Sequence, residues 1–307
     1  MSIYEQRLQA LTEHLQLHGY RGAMIHDPAT GFYYTGFSSG PHERFMALGI
    51  DVVKEERVFF VPALDRDAAE EASTIRPVVP ISDDQLPFEV VSEHMPTLSG
   101  KFGIENRAVN VERYLLLKET FPLELVDVQP FINEKRMQKS AEEIEALKEA
   151  LRIIEKVLED GIQQVKIGMT ESELVGILEQ LMRQHGADGP SFSTIVLSGP
   201  KSALPHGSPG DRAFESGDYL LIDFGVMKNG YCSDITRTFI IGEASDRQRE
   251  IYETVRASNE AGMFAVREKE RFQTFDEAAR HVIDEAGYGQ YFNNRVGHGI
   301  GIELHEE

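Results

Sequence analysis

The sequence predicts an α+β protein of two domains, an α/β domain over residues 1–135 and a largely antiparallel domain over residues 136–307. Three observations lead to this prediction. The first half alternates short β-rich runs with helical stretches. Two long helix signals then follow residue 140, and after them strand segments cluster around the hairpin signal Asn229-Gly230. A chain of 307 residues, 41% hydrophobic, is long enough for two cores.

The first domain is predicted to begin with a helix, because Tyr4, Leu8, Leu11 and Leu15 recur at helical spacing. GAMIH is then predicted as a strand, and DPAT as a turn that leads into an aromatic strand, GFYYTGF. Further strands are predicted at ALGIDVV, ERVFFVP, KFGIE and LELVDV, with helices at ALDRDAAEEAS and NVERYLLLKETF. This alternation is typical of an α/β domain.

The second domain is predicted to begin with two capped helices. Ser140 with Glu143 and Thr170 with Glu173 have the spacing of capping boxes. The first of these helices has an apolar stripe, made of Ile144, Leu147, Leu151, Ile154 and Leu158. Strands are predicted at SFSTIVLSG, GDYLLIDFGVM and GYCSDITRTFIIG, and two more helices at 246–268 and at FDEAARHVIDEAG.

Composition excludes several classes of function. The 31 Lys and Arg residues against 51 Asp and Glu residues give a net charge of −20, which argues against nucleic acid as a partner because phosphates need neutralising cations. One cysteine, Cys232, excludes an intramolecular disulfide framework and fits a reducing compartment. The N-terminus lacks the pattern of a signal peptide, and no run is long enough to span a membrane. We therefore expect a cytoplasmic protein with no membrane partner.

The densest chemistry lies in LLIDFGVMKNGYCSDITRTF. A two-residue turn at Asn229-Gly230 places Asp223 opposite Thr236, and side-chain alternation puts Asp234 on the same face. The two aspartates are then diagonal neighbours, with backbones roughly 7–8 Å apart. Two partly buried carboxylates repel each other, so a proton, an arginine or a metal ion must offset that cost. A solvated or hydrogen-bonded aspartate pair without any metal remains the alternative.

Three histidines favour the metal interpretation. His206 lies in the loop LPHGSPGDR, His298 lies between glycines in VGHGIG, and His305 follows in LHEE. Glycine neighbours allow a backbone to approach a ligand closely. Aspartate and histidine make a mixed oxygen and nitrogen ligand set, which suits manganese, cobalt, zinc or iron.

The run PHG…GDYLLIDFG…NGYCSDITRTF…GHGIG…HEE resembles the Xaa-Pro peptidase family, which comprises proline dipeptidases and aminopeptidase P. The resemblance covers essentially the whole chain and implies a creatinase/prolidase-type N-terminal domain followed by a "pita-bread" metallopeptidase domain. It implies that Asp223, Asp234 and His298 are metal ligands, with Asp234 bridging two ions. It also implies that His206 and His305 contact the substrate and stabilise the tetrahedral intermediate.

The implied reaction is hydrolysis of the bond that precedes proline, in an Xaa-Pro dipeptide or in a peptide with proline at position two. The cofactor implied is a pair of divalent ions, manganese first, with cobalt, zinc or iron as alternatives. The resemblance leaves dipeptidase and aminopeptidase activity both open. It also implies a homodimer.

Two glutamate ligands that the resemblance implies follow the HEE motif in the family, in Glu-Pro-Gly and Arg-x-Glu-Asp segments, and neither occurs in these 307 residues. We therefore expect one ion or none in this chain and impaired activity. We also expect a pita-bread domain without its last strands, which leaves an unpaired edge at RVGHGIGIELHEE. Glu306 and Glu307 are expected to shape the segment of His305. The alternative is a catalytically inactive pita-bread protein that acts as a binding or scaffold module.

Overall fold

The chain divides into two units, Met1–Gln138 and Lys139–Glu307, in a computed structural model that describes all 307 residues. The first unit contains six helices and six strands. Its helices are α1 (Ile3–Leu17), α2 (Pro28–Thr35), α3 (Arg66–Ala72), α4 (Pro87–His94), α5 (Val111–Thr120) and α6 (Gln129–Met137). Its strands are β1 (Gly22–Ile25), β2 (Ala47–Asp51), β3 (Glu56–Pro62), β4 (Val78–Ile81), β5 (Gly100–Ile104) and β6 (Leu123–Asp127).

These six strands form one mixed sheet in the order β4-β3-β2-β1-β5-β6. The central pairs β1–β2 and β2–β3 are antiparallel, whereas β3–β4, β1–β5 and β5–β6 are parallel. All four residues of β1 and all five of β2 are buried, as expected for strands covered on both faces. Met24, Phe60 and Phe102 belong to the hydrophobic core of this unit.

The predicted aromatic strand at GFYYTGF is wrong, because this segment lies largely in helix α2. The Asp27 side chain caps the helix by accepting a hydrogen bond from the Thr30 amide, and Pro28 occupies the first turn. Gly36 ends the helix in the left-handed conformation, with φ +81°. These end signals outweigh the strand preference of the aromatic residues between them.

The second unit contains four helices and two small sheets. Its helices are α7 (Ala141–Ile162), α8 (Glu171–Gln184), α9 (Asp246–Ala265) and α10 (Phe272–Glu285). Its strands are β7 (Gly189–Pro190), β8 (Ile195–Ser198), β9 (Tyr219–Phe224), β10 (Val226–Lys228), β11 (Tyr231–Cys232) and β12 (Ile235–Ile240). Strands β11-β10-β7 and β12-β9-β8 form two three-stranded sheets. Every pair in them is antiparallel, which confirms the α+β prediction.

Both predicted capping boxes are present, at Ser140 with Glu143 and at Thr170 with Glu173. The predicted apolar stripe of α7 is only partly correct. Of its five residues, Ile154 is buried, while Ile144 and Leu151 are 42% and 37% exposed.

The buried face of α7 instead includes small residues. It is formed by Glu143, Ala150, Ile154, Val157 and Gly161. A Cβ on Gly161 would lie 2.4 Å from Cδ2 of Leu178, so the absence of a side chain allows α8 to pack closely. None of the helices combines the length and apolarity needed to cross a membrane.

Buried Glu105 connects the ends of β1 and β5 in the first unit. One of its carboxylate oxygens accepts hydrogen bonds from the amides of His26, at 2.7 Å, and Asp27, at 2.9 Å. Burial nevertheless raises the pKa of Glu105 to about 7. Burial also lowers the pKa of His26 to about 3. This side of the sheet is therefore sensitive to pH through buried groups.

We predict that Glu105→Gln removes one component of the pH dependence of stability. The pKa of Glu105 rises from 4.5 to about 7 on folding. As pH rises, Glu105 therefore loses its proton in the unfolded chain at a lower pH than in the folded protein. Folding becomes less favourable as pH rises from 4.5 to 7. At about 1.4 kcal/mol per pKa unit, wild type should lose on the order of 3 kcal/mol relative to the glutamine variant over this window.

Urea unfolding curves followed by circular dichroism at pH 5, 6, 7 and 8 measure this difference. Glu124→Gln, which removes an exposed carboxylate from the neighbouring strand β6, is the matched control. Parallel pH profiles for wild type and Glu105→Gln would contradict the prediction.

Candidate active site

The two predicted aspartates lie on a β-hairpin whose register follows from its turn. Asn229 and Gly230 have positive φ angles, +52° and +80°, as a two-residue hairpin turn requires. The strands beside the turn pair antiparallel, and further along the hairpin Asp223 of β9 lies opposite Thr236 of β12. This is the register that the sequence predicts.

Thr236 orients the side chain of Asp223. Its hydroxyl Oγ1 donates a hydrogen bond of 2.7 Å to Oδ1 of Asp223. The sequence indicates that the two residues are opposite each other, but it does not reveal that the hydroxyl bonds the carboxylate. Because one oxygen of Asp223 is engaged in this way, its other oxygen is the more available to a further partner.

Gly225 allows the two strands to approach each other next to the aspartates. A Cβ at this position would lie 1.9 Å from the carbonyl oxygen of Ser233 and 2.4 Å from Oγ of Ser191. Any side chain would collide with this backbone oxygen. The Ser191 hydroxyl also donates to the Ser233 oxygen at 2.8 Å. The backbone immediately before Asp234 is therefore tightly held.

The segment 298–306, which is closed by a bridge between Gly299 and Glu306, is hydrogen-bonded to Cys232 of β11 and carries two predicted histidines. The Cys232 amide donates to the carbonyl oxygen of Gly301 at 2.8 Å, and its thiol donates to the oxygen of Ile302 at 3.4 Å. Burial raises the pKa of the Cys232 thiol to about 11, so the thiol stays protonated. Cys232 thus acts as a packing residue that secures this segment.

The carboxylate of Glu306 stabilises the turn in the segment that carries His298 and His305. Oε1 accepts hydrogen bonds from the amides of Ile302, at 3.0 Å, and Glu303, at 3.2 Å, while Oε2 forms an ion pair with Lys139 at 2.9 Å. The Glu306 side chain is only 5% exposed. It therefore shapes the turn that carries His305, and the sequence gives no sign of its partner Lys139.

Asp234 and His298 are in direct contact. Oδ2 of Asp234 lies 3.3 Å from Nε2 of His298, and the two side chains are 24% and 22% exposed. The other ring nitrogen, Nδ1, is 2.9 Å from the carbonyl oxygen of Gly299. Since a carbonyl oxygen only accepts, Nδ1 carries a proton there. Nε2 then faces the carboxylate either with a second proton or with a lone pair that needs a cation between the two groups.

His305 completes the cluster on the same side. Its ring centroid is 4.1 Å from that of His298, in an edge-to-face arrangement. Its positive form would lower the pKa of Asp234, as would that of His298. The structure therefore brings together Asp234, His298 and His305, beside the hairpin position of Asp223.

The pKa values of both aspartates are raised, chiefly by burial. For Asp223, the negative charge of Asp234 raises the pKa further, whereas the Thr236 hydrogen bond and His298 lower it. For Asp234, His298 and His305 oppose the effect of burial. Neither carboxylate has enough donors to offset its loss of hydration, so this side of the hairpin is suited to a cation.

His206 is not joined to this cluster by any hydrogen bond, ion pair or ring contact. It lies exposed in the loop between β8 and β9, just after a short 3₁₀ helix, Gly199–Ala203. Leu204, two residues before it, is also exposed, whereas Gly207 packs against Leu197. The sequence indicated a loop histidine, but its grouping with the other four residues stays a prediction.

The donor chemistry of the site fits a divalent transition metal. Asp234 and His298 present an oxygen and a nitrogen at a separation typical of two ligands on one ion. No three His, Cys, Asp or Glu side chains are grouped closely enough to hold a metal ion in this arrangement. Asp223 would have to turn towards the other two to serve as a third donor.

Sequence models of two known families match the chain. The model described as metallopeptidase family M24 matches residues 145–307, and that of the creatinase/prolidase N-terminal domain matches residues 7–138. The protein YkvY of Bacillus subtilis (strain 168) is 36% identical over 305 residues, which is 98% of this chain and 84% of that protein.

Solved structures are similar over nearly the whole chain. The Xaa-Pro dipeptidase from Bacillus anthracis is 30% identical, with a TM-score of 0.89 over 99% of this chain and 84% of that one. The X-Pro aminopeptidase from Thermotoga maritima MSB8 is also 30% identical, with a TM-score of 0.88 over 97% of this chain and 83% of that one. Both kinds of peptidase named by the sequence resemblance are thus among the similar structures.

We predict that Gly225→Ala disrupts the hairpin that carries both aspartates. The added methyl group meets the Ser233 carbonyl oxygen at 1.9 Å, so β9 and the strand before Asp234 must separate. We expect a loss of about 3 kcal/mol or more in the free energy of unfolding. Gly189→Ala in β7, where a Cβ would meet nothing within 4 Å, should change it by less than about 1 kcal/mol. Equal unfolding midpoints for the two variants would rule out this explanation.

Proposed function

The chain belongs to metallopeptidase family M24, and we propose that it is a metal-dependent Xaa-Pro peptidase that hydrolyses the bond preceding proline. The predicted fold, a creatinase/prolidase-type domain followed by a pita-bread domain, is confirmed. The observation that carries the proposed function is the contact of Asp234 with His298, in which a carboxylate and an imidazole nitrogen face each other at 3.3 Å beside His305.

Asp223, Asp234 and His298 would hold the metal. The raised pKa of each aspartate, caused first by burial, disfavours two bare carboxylates at this point. A divalent cation would offset their repulsion, with manganese as the first choice. When bound, such an ion supplies Lewis-acid chemistry that makes a water molecule more acidic at neutral pH.

His305 would act on the substrate from its position against His298. A donor nitrogen on its ring can stabilise the negative charge that develops on the oxygen of the attacked carbonyl group. His206 would donate a second hydrogen bond to the substrate from the loop between β8 and β9. The two histidines thus bind and orient the peptide, whereas the aspartates and His298 hold the metal.

The ligands that we propose from these 307 residues are three of those that the resemblance implies, Asp223, Asp234 and His298. The choice between dipeptidase and aminopeptidase stays open, as the two solved structures illustrate. Homodimer formation, the cytoplasmic location and the division at residue 135 stay predictions.

We predict that Asp234→Asn weakens Mn²⁺ binding at least about tenfold, because it removes the charge that faces His298. Isothermal titration calorimetry with MnCl₂ at pH 7.5 measures the affinity. Asp211→Asn, which neutralises an exposed aspartate of the same unit, is the control and should keep the wild-type value. Unchanged Mn²⁺ affinity in Asp234→Asn would exclude this site.

We predict that the Mn²⁺-loaded chain cleaves Ala-Pro or Ala-Pro-Ala in preference to their alanine-for-proline analogues, and that EDTA abolishes cleavage. His305→Ala should lower kcat about hundredfold, as loss of a donor to the developing oxyanion does. His281→Ala, which removes an exposed histidine of α10, is the control. Mn²⁺ binding without any hydrolysis would instead favour the alternative of an inactive binding or scaffold protein.

A further inference from the structure

Glu171 is a fully buried carboxylate outside the aspartate and histidine cluster. It is the first residue of α8 and has no exposed surface. Oε1 accepts hydrogen bonds from the backbone amide of Ser198, at 2.8 Å, and from its hydroxyl, at 2.9 Å. Oε2 accepts from the amide of Gly210, at 3.0 Å, and from Nζ of Lys201. Both carboxylate oxygens therefore have two donors each.

These donors lie at the two ends of one loop. Ser198 is the last residue of β8, and Gly210 follows the loop that carries His206. One side chain thus closes a loop of eleven residues, 199–209, at its base. Burial alone would raise the pKa of Glu171, but the hydrogen bonds from Lys201, Ser198 and Gly210 outweigh it, and the pKa is lowered. The carboxylate remains charged, which strengthens each of these bonds.

Two further contacts hold the base of the loop. Nζ of Lys201 also donates to the carbonyl oxygen of Ser208 at 2.9 Å. Gly199 has a φ of +52°, and a Cβ there would lie 2.6 Å from atoms of both Arg212 and Asp218. The loop therefore begins against the Arg212–Asp218 ion pair. A rigid base with an exposed tip is suited to presenting a single side chain.

The tip depends on that base for its position. Residues 203–206 are exposed, and the two hydrogen bonds along this stretch are local ones, from the Leu204 amide to Lys201 and from the Gly207 amide to Leu204. His206 itself has no bonding partner outside the loop. The position of His206 therefore depends on the base of the loop, where the carboxylate of Glu171 joins the two ends.

We propose that Glu171 is a positioning residue that holds the His206 loop in the conformation that meets the substrate. The proposal rests on the proposed function for the role of His206, whereas the anchoring itself rests on the contacts of Glu171. Lys201 acts with it, because the ammonium group connects the carboxylate to the far side of the loop.

Amide hydrogen exchange on the full chain tests the anchoring without any catalytic assay. In Glu171→Gln, the amides of Ser198 and Gly210 should exchange about tenfold faster or more, as should residues 199–209. Glu179→Gln on the same helix is the control and should leave this segment unchanged. Lys201→Met, which keeps the bonds from Ser198 and Gly210, should loosen 201–208 alone, and Lys201→Arg should restore its protection. If residues 198–210 of Glu171→Gln exchange as slowly as in wild type, the anchoring is overturned. If Glu171→Gln does not fold, wild-type exchange of 201–208 in Lys201→Met overturns it instead.

A double-mutant cycle tests the connection to catalysis. Glu171→Gln and His206→Ala should each lower kcat for Xaa-Pro cleavage by a similar factor, and the double variant should be no worse than His206→Ala. A purely structural role would instead give multiplicative losses, which would overturn the positioning role. If no variant and no wild-type protein hydrolyses Xaa-Pro peptides, the proposed function has failed, and the exchange measurement alone decides the anchoring.

Discussion

The close approach of two backbones at Gly225 is the constraint on which the rest of the site depends. It allows the chain to pass from β9 into β10 within reach of the Ser233 carbonyl oxygen, and the turn at Asn229-Gly230 sets which residues then face each other. The Cys232 amide of β11 donates a hydrogen bond to the Gly301 oxygen, in the segment that carries His298 and His305. Backbone geometry thus places next to one another side chains that are far apart in the sequence.

Much of the fold could be predicted from local signals. The hairpin register and both capping boxes were predictable because each depends on residues within a few positions of one another. The aromatic run predicts a strand where helix α2 forms, because the cap at Asp27 and the stop at Gly36 outweigh the strand preference of the residues between them. The apolar stripe of α7 predicts its buried face only in part, because the face also includes small residues such as Gly161, where α8 packs closely. A hydrophobicity pattern does not report such packing.

The candidate site was predictable to a lesser degree. Residue types and glycine contexts indicated the aspartates and histidines, but the partners that orient them lie far away in the sequence. The sequence predicts which residue lies opposite Thr236 but not the hydrogen bond that its hydroxyl donates, and it gives no sign of the ion pair between Lys139 and Glu306. Glu171 looks like any acidic residue in the first turn of a helix. Their roles depend on tertiary contacts, which have no local signature in one sequence.

The buried carboxylates of the second unit differ in how their charge is met, and this difference separates structural from functional roles. Glu171 has two donors on each oxygen, and Glu306 has two amides on one oxygen and a lysine on the other. Charges met by such fixed donors are satisfied within the fold. Asp234 faces only an imidazole whose other nitrogen is already committed to the Gly299 oxygen. Asp223 adds a second negative charge, and the Thr236 hydroxyl engages only one of its carboxylate oxygens. The remaining demand for positive charge is therefore concentrated at the two aspartates. A cation at that point would satisfy both, which is what the proposed function expects, whereas the two glutamates already have their donors within the fold.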